Sequence, residues 1–123
     1  MLVFTGDINL TDWIFNVGFG IGTNIGKGLD PFKYLKRNED DVWIGNFEGV
    51  ASNVSAYKGI YAKAFRIEPD ALKGLHHFDY YGFANNHAME HGGEAYKETV
   101  KALEGFGSRV LGLKDRKSVL LEH

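Results

Sequence analysis

The chain contains no cysteine. Disulfide staples, thiolate nucleophiles and cysteine metal sites are therefore excluded, while the compartment is left open. Proline is nearly as scarce, with 2 residues in 123, so breaks between elements must come from the 16 glycines and from Asn and Asp turns. No apolar run approaches the roughly 20 residues needed to cross a bilayer, and the N-terminus lacks the basic-then-apolar order of a signal peptide. Nor is there a basic stripe. The 14 Lys and Arg are scattered among 16 Asp and Glu, giving a net charge of −2, which argues against a nucleic-acid partner. With 44% hydrophobic and 24% charged residues, the composition is that of one globular domain at most.

What is present is an alternation of short β-prone runs with helical stretches. Leu2-Val3-Phe4-Thr5 reads as a strand that stops at Gly6, with Asp7-Ile8-Asn9 at its carboxyl end. Residues 10–27 hold enough apolar side chains near Trp13 and Val17 for a short helix, but glycines at 18, 20, 22, 26 and 28 break anything longer, so the segment reads as a flexible loop or lid. Its Gly18-Phe19-Gly20-Ile21-Gly22 run lacks the Lys-Ser/Thr ending of a P-loop and has the wrong spacing for a dinucleotide fold. Asp30-Pro31 joins an N-cap to a proline at the first helical position, predicting a short helix that turns Phe32 and Leu35 inward and ends by Asn38. Val42-Trp43-Ile44 is a second strand, ending in Gly45-Asn46-Phe47-Glu48-Gly49. Residues 63–67 alternate like a strand with one wet face, and Glu68-Pro69-Asp70 opens a helix over 71–75.

The third buried strand, 79–84, is aromatic-rich and leads through Asn85-Asn86-His87-Ala88-Met89-Glu90-His91-Gly92 into a periodic helix over 93–104. Tyr96, Val100 and Leu103 form its apolar stripe. Gly105-Phe106-Gly107 ends that helix, 109–112 begins another strand, and 117–120 reads as one more. This order predicts an α/β fold with a mainly parallel sheet flanked by helices and right-handed crossovers. An unpaired strand near 109–120 would invite self-association through the sheet edge.

In a parallel sheet the carboxyl ends of the strands share one edge, and open α/β sheets bind ligands there. Three such ends carry Asp7 with Asn9, Glu48, and Asn86 with His87. Each has a plain structural reading: Asp7 as a cap, Glu48 as a surface residue, Asn85-Asn86 as turn chemistry. Their recurrence at three strand ends singles them out, and Gly49 beside Glu48 would let the backbone approach a ligand closely. Carboxylate, carboxamide and imidazole together suit a divalent Mn, Fe, Zn or Mg ion. His76-His77 is set aside, because neighbouring helical residues diverge by about 100° and such a pair suits a helix end better than one ion.

Thr5-Gly6-Asp7, Asn46-Phe47-Glu48 and Ala84-Asn85-Asn86-His87-Ala88-Met89-Glu90-His91-Gly92, followed by a helix with Thr99 and Leu103, resemble the bacterial capsule synthesis family typified by the poly-γ-glutamate capsule protein CapA. The resemblance runs in order along essentially the whole chain. It implies a branch of the calcineurin-like metallophosphoesterases, an αββα sandwich holding metals at strand ends. On that resemblance Asp7, Glu48 and Asn86 would be metal ligands and His87 the acid or phosphate-contacting imidazole. Asn9 stands where the metallophosphatase Asp-x-His motif has histidine and would be a further metal ligand, and Phe47 and Glu90-His91 replace an expected Leu and Asp-Tyr.

Two-metal phosphoesterases also need later histidines that this sequence lacks. Residues 1–120 are thus expected to be the N-terminal part of a larger domain, inert alone, with 121–123 either a tag remnant or native. The resemblance leaves open a metal-dependent hydrolase or a non-enzymatic component of a polymer synthesis or export assembly. Its partners would be other capsule synthesis proteins or the polyglutamate polymer, at the cell envelope, with any anchor outside this chain. A GDSL-type esterase built on Asp7, Asn46 and His87 is disfavoured, since no serine follows Gly6-Asp7 to act as nucleophile.

Overall fold

The computed structural model describes residues 1–113. The strands are β1 (Leu2–Ile8), β2 (Val42–Phe47), β3 (Val50–Ala51), β4 (Arg66–Ile67), β5 (Tyr80–Gly82) and β6 (Arg109–Leu111). The helices are α1 (Ile21–Gly26) and α2 (Gly93–Gly105), and single 3₁₀ turns cover Gly59–Ala62 and Pro69–Leu72. Four strands form one sheet in the order β1-β2-β5-β6, and every pairing in it is parallel. A second sheet, β3 with β4, is also parallel. The expected α/β class and parallel sheet are thus present.

The core forms because β2 alternates faces: Trp43, Gly45 and Phe47 are buried while the residues between them are half-covered. Phe47 meets Tyr81 edge-on, with ring centroids 5.4 Å apart, and Phe83 carries the contact on to Tyr96 of α2 at 5.2 Å. The buried face of α2 is Ala95, Thr99 and Leu103, rotated from the Tyr96, Val100, Leu103 stripe read from the sequence. Tyr96 and Val100 pack at its margin. Thr99 can be fully buried because its Oγ1 donates to Ala95 O at 2.7 Å and accepts from Ala51 N at 3.0 Å. A buried polar group with both needs met ties α2 to β3.

Three expectations are corrected. Residues 31–34 form turns and 35–38 an irregular stretch, not a helix. Asp30 Oδ1 does accept from Phe32 N at 2.9 Å, but Tyr34 is 86% exposed and Leu35 48%, and so short a helix needs more than one packed anchor. The glycine-rich segment is not a free loop, because α1 lies within it. Asp12 accepts from Gly18 N at 2.9 Å, from Thr23 N at 3.0 Å and from Thr23 Oγ1. Burial would raise that carboxyl, but these hydrogen bonds outweigh it and hold it below the ordinary value. A Cβ on Gly22 would stand 2.8 Å from Asp12 N, so only glycine lets α1 seat there. Last, the strand expected over 63–67 is reduced to β4, and the helix over 71–75 to the 3₁₀ turn Pro69–Leu72.

His77 follows that turn, with Nε2 2.8 Å from Leu72 O and its ring stacked on Phe106 at 4.5 Å. It is a packing residue and not the helix-end feature expected, since the preceding turn stops at Leu72. Among the described residues β1 and β6 are the sheet edges. The strand expected over 117–120 lies outside the described residues.

Candidate functional site

The site begins with an irregularity in β1. Phe4 pairs with Ile44 but Asp7 with Asn46, so β1 spends one more residue than β2 across Thr5-Gly6. Such a bulge re-aims the side chains beyond it. Asp7 there accepts from Asn46 Nδ2 at 2.8 Å. Glu48, just past β2, is held beside the end of β1 by its N–H donating to Ile8 O at 3.0 Å.

The carboxyls of Asp7 and Glu48 lie close enough to perturb each other. Two neighbouring acids ionise less freely than either alone. The Asn46 amide first, and Glu48 second, hold Asp7 below the usual carboxylate value. Burial, followed by the influence of Asp7, pushes Glu48 above its own, with the charge of His87 pulling the other way. The two acids are thus moved apart in pKa, at an exposed strand end.

The loop after β5 brings the third contribution. Asn85 clamps it to β2, with Nδ2 donating to Phe47 O at 2.7 Å and standing 3.2 Å from Asn46 Oδ1. Its Oδ1 accepts from His87 N at 3.0 Å, the Asx turn that the sequence suggested. His87 is thereby aimed at the carboxyl pair: Nε2 lies 3.4 Å from Glu48 Oε1 and 3.3 Å from Asn86 Nδ2. Nδ1 is 2.7 Å from Glu90 Oε2. The Glu90 carboxylate fixes Nδ1 as the protonated nitrogen, which leaves Nε2 to exchange a proton with Glu48 or a ligand.

One face of the imidazole is closed by Phe65, stacked at 4.1 Å with 13° between the rings. Phe65 has φ 56°, a conformation that a bulky residue keeps only when its surroundings enforce it. Its N–H donates to Asp12 O at 2.7 Å and its carbonyl accepts from Val50 N at 2.9 Å. Gly49, at φ +120°, makes room: a Cβ there would lie 3.0 Å from Thr11 Cγ2 and 3.2 Å from Phe65 O. The close approach at Gly49 is thus to the chain's own backbone.

Asp7, Glu48, Asn86 and His87 come together at one sheet edge, as their positions at strand ends implied. Asn9 is turned to local use, its Oδ1 accepting from Thr11 N at 2.9 Å and Thr11 Oγ1 at 2.6 Å. Among the described residues no three His, Asp or Glu side chains are grouped to hold an ion. The residues assembled there, two hard oxygen acids beside a carboxamide, are of the donor type a divalent cation takes and are too few for a two-ion centre.

Sequence reasoning passed over Asn85, Glu90 and Phe65 as site residues and weighed Asn46 only in the disfavoured esterase reading. The His-x-x-Glu spacing of 87 and 90 was a readable signal. Phe65 left none, because its contact with His87 depends on a β3/β4 pairing too short to show in the pattern. No curated protein matches this chain. The family model described as Bacterial capsule synthesis protein PGA_cap matches residues 1–119.

Proposed function

The chain belongs to the bacterial capsule synthesis protein family, and from that premise we propose that its sheet-edge cluster is a metal-assisted hydrolytic centre acting on a phosphoester-like bond in capsule-polymer synthesis. The observation that carries the reading is the Asp7/Glu48 pair, two acids pushed apart in pKa with an oriented imidazole 3.4 Å from one of them. Perturbed acids of this kind cluster at functional sites. Asp7 and Glu48, with the Asn86 carboxamide, would hold a divalent ion of the Mn, Fe, Zn or Mg type. When bound, such an ion supplies Lewis acidity and charge neutralisation. Water adds at phosphorus as the P–O bond to the leaving group breaks; His87, as an imidazolium carrying protons on both nitrogens and stabilised by the Glu90 carboxylate, would give its Nε2 proton to the departing oxygen, while Phe65 covers one face of the ring. The envelope location rests on the family resemblance alone.

Equilibrium dialysis with Mn²⁺ or Zn²⁺, followed by elemental analysis, tests the metal. About one ion per chain is expected, and none in Asp7→Ala/Glu48→Ala. Equal metal content in the two proteins would leave the pair as loop structure. A second reading, a non-enzymatic component of a synthesis or export assembly, is favoured by the lack of a three-ligand group among the described residues. Metal retention without hydrolysis of bis(p-nitrophenyl) phosphate by the complete protein would select it.

A further inference from the structure

Beside the His87/Glu90 pair lies a cavity of about 450 Å³, lined by Ile14, Tyr57, Tyr61, Ala64, Phe65 and Glu90. Its size falls within the roughly 300–1,000 Å³ of small-ligand sites. Two of its walls are also walls of the candidate centre: Phe65 stacks on His87 and Glu90 bonds it. A ligand in the cavity therefore touches the two residues that hold the imidazole, not the ring itself.

The cavity is built, not a gap between loose loops. His91, 2% exposed, has Nδ1 2.7 Å from Ser55 Oγ and Nε2 2.7 Å from Ala64 O, so one buried ring pins two segments beside the cavity. Burial, partly offset by its bond to Ala64, holds this imidazole below its ordinary pKa, which matches a neutral ring accepting from serine and donating to a carbonyl. Ser55 Oγ accepts from Tyr57 N at 3.0 Å, and the Tyr57 ring stands edge-on to His91 at 5.6 Å. Yet Tyr57 and Tyr61 remain 47% and 64% exposed. Apolar ring faces held open to water mark a binding surface.

The lining chemistry selects the ligand. No Lys or Arg lines the cavity and its single charge is the Glu90 carboxylate, so an acidic segment such as a glutamyl chain would meet like charge with nothing to neutralise it. An apolar ligand would leave that carboxylate and the two phenols unused. A neutral pyranose satisfies all of them, laying its C–H face on the aromatic rings and giving hydroxyls to Tyr and Glu acceptors. We propose that this cavity is a sugar subsite, taking a neutral glycosyl unit of the phosphoester substrate beside the residues that hold His87. The substrate class rests on the hydrolytic reading above; the sugar site itself does not.

The test is ligand-observed saturation-transfer NMR on the full chain with maltotriose, chitotriose and methyl pyranosides, against tri-γ-glutamate as the acidic alternative. Neutral sugars should bind, tri-γ-glutamate should not, and Tyr61→Ala should weaken the sugars roughly three- to ten-fold, with Tyr61→Phe restoring most of the loss because the ring face returns. Circular dichroism melting checks that Tyr61→Ala remains folded. Absence of binding by every neutral sugar, stronger binding by tri-γ-glutamate, or binding unchanged in folded Tyr61→Ala would each overturn the sugar subsite. Because Tyr61 lies outside the proposed ligand set, sugar binding retained in Asp7→Ala/Glu48→Ala while metal is still bound would sink the metal reading alone.

Discussion

The two edges of the parallel sheet are both polar, but they are built on opposite terms. At the amino edge Asp79 accepts from the Arg37 guanidinium and from Trp43 N at 2.8 Å. Arg37 also reaches His77 O at 2.9 Å, and Ser108 Oγ closes on Phe78 O at 2.6 Å. Each of these groups meets one of opposite character, although Trp43 Nε1 beside them is buried without a hydrogen-bond partner. At the carboxyl edge Asp7 faces Glu48, acid against acid, and Glu48 is pushed up by burial first and by Asp7 next. Local conflicts of like charge concentrate at functional sites.

That contrast can be broken by exchanging what is removed. The largest effect is expected from Asp7→Ala/Glu48→Ala, which should abolish retention of Mn²⁺ or Zn²⁺ without lowering the melting temperature. Unfolding of this variant would mean that the carboxyl edge is structural after all. Asp79→Ala should do the reverse, keeping metal retention while losing about 1–2 kcal/mol in urea unfolding, since Arg37 and Trp43 N lose their acceptor.

Acid should separate the edges again. His77 and His91 are both held below the ordinary 6.5, each by burial first. The unfolded chain therefore binds protons that the folded chain refuses, and stability should be full above pH 6.5 and fall as the pH drops below it. Melting temperatures across pH 5–8 that do not decline on the acid side would contradict this. Metal affinity should also fall with acid, but through the raised Glu48, whose proton an ion must displace. Tyr81, pushed up to about 12 by burial, adds a loss of stability in strong alkali, as pH rises past its ordinary 10.0.

The smallest effect is expected from Glu48→Gln. It removes the like charge but keeps the side chain's shape, and should raise stability at pH 7 by a few tenths of a kcal/mol, on the scale of exposed charge pairs. A measurable loss would show that the Asp7/Glu48 contact contributes to the fold.

The strands of the main sheet were legible because each is a short β-prone run stopped by glycine or a polar turn: 2–5, 42–44 and 79–84 in the sequence became β1, β2 and β5. The site was legible for the same reason, as parallel strands send all their carboxyl ends to one edge. The α2 face was misread by about one residue, since a buried threonine does not count as apolar until its two hydrogen bonds to Ala95 and Ala51 are known. Residues 31–38 had good helix-start chemistry and still formed no helix, because capping favours a helix only when a packed face sustains it.

By itself, then, the sequence determined the α/β order, the parallel sheet and the three strand ends that carry Asp7, Glu48 and His87. These depend on local pattern and on a connectivity rule that every parallel sheet obeys. Tertiary structure alone decided that Glu48 stands beside Asp7, that Phe65 covers His87 from φ 56°, and that His91 pins two segments beside an aromatic cavity. Those are contacts between residues far apart in the chain, and no periodicity within one segment encodes which distant side chain will arrive beside it.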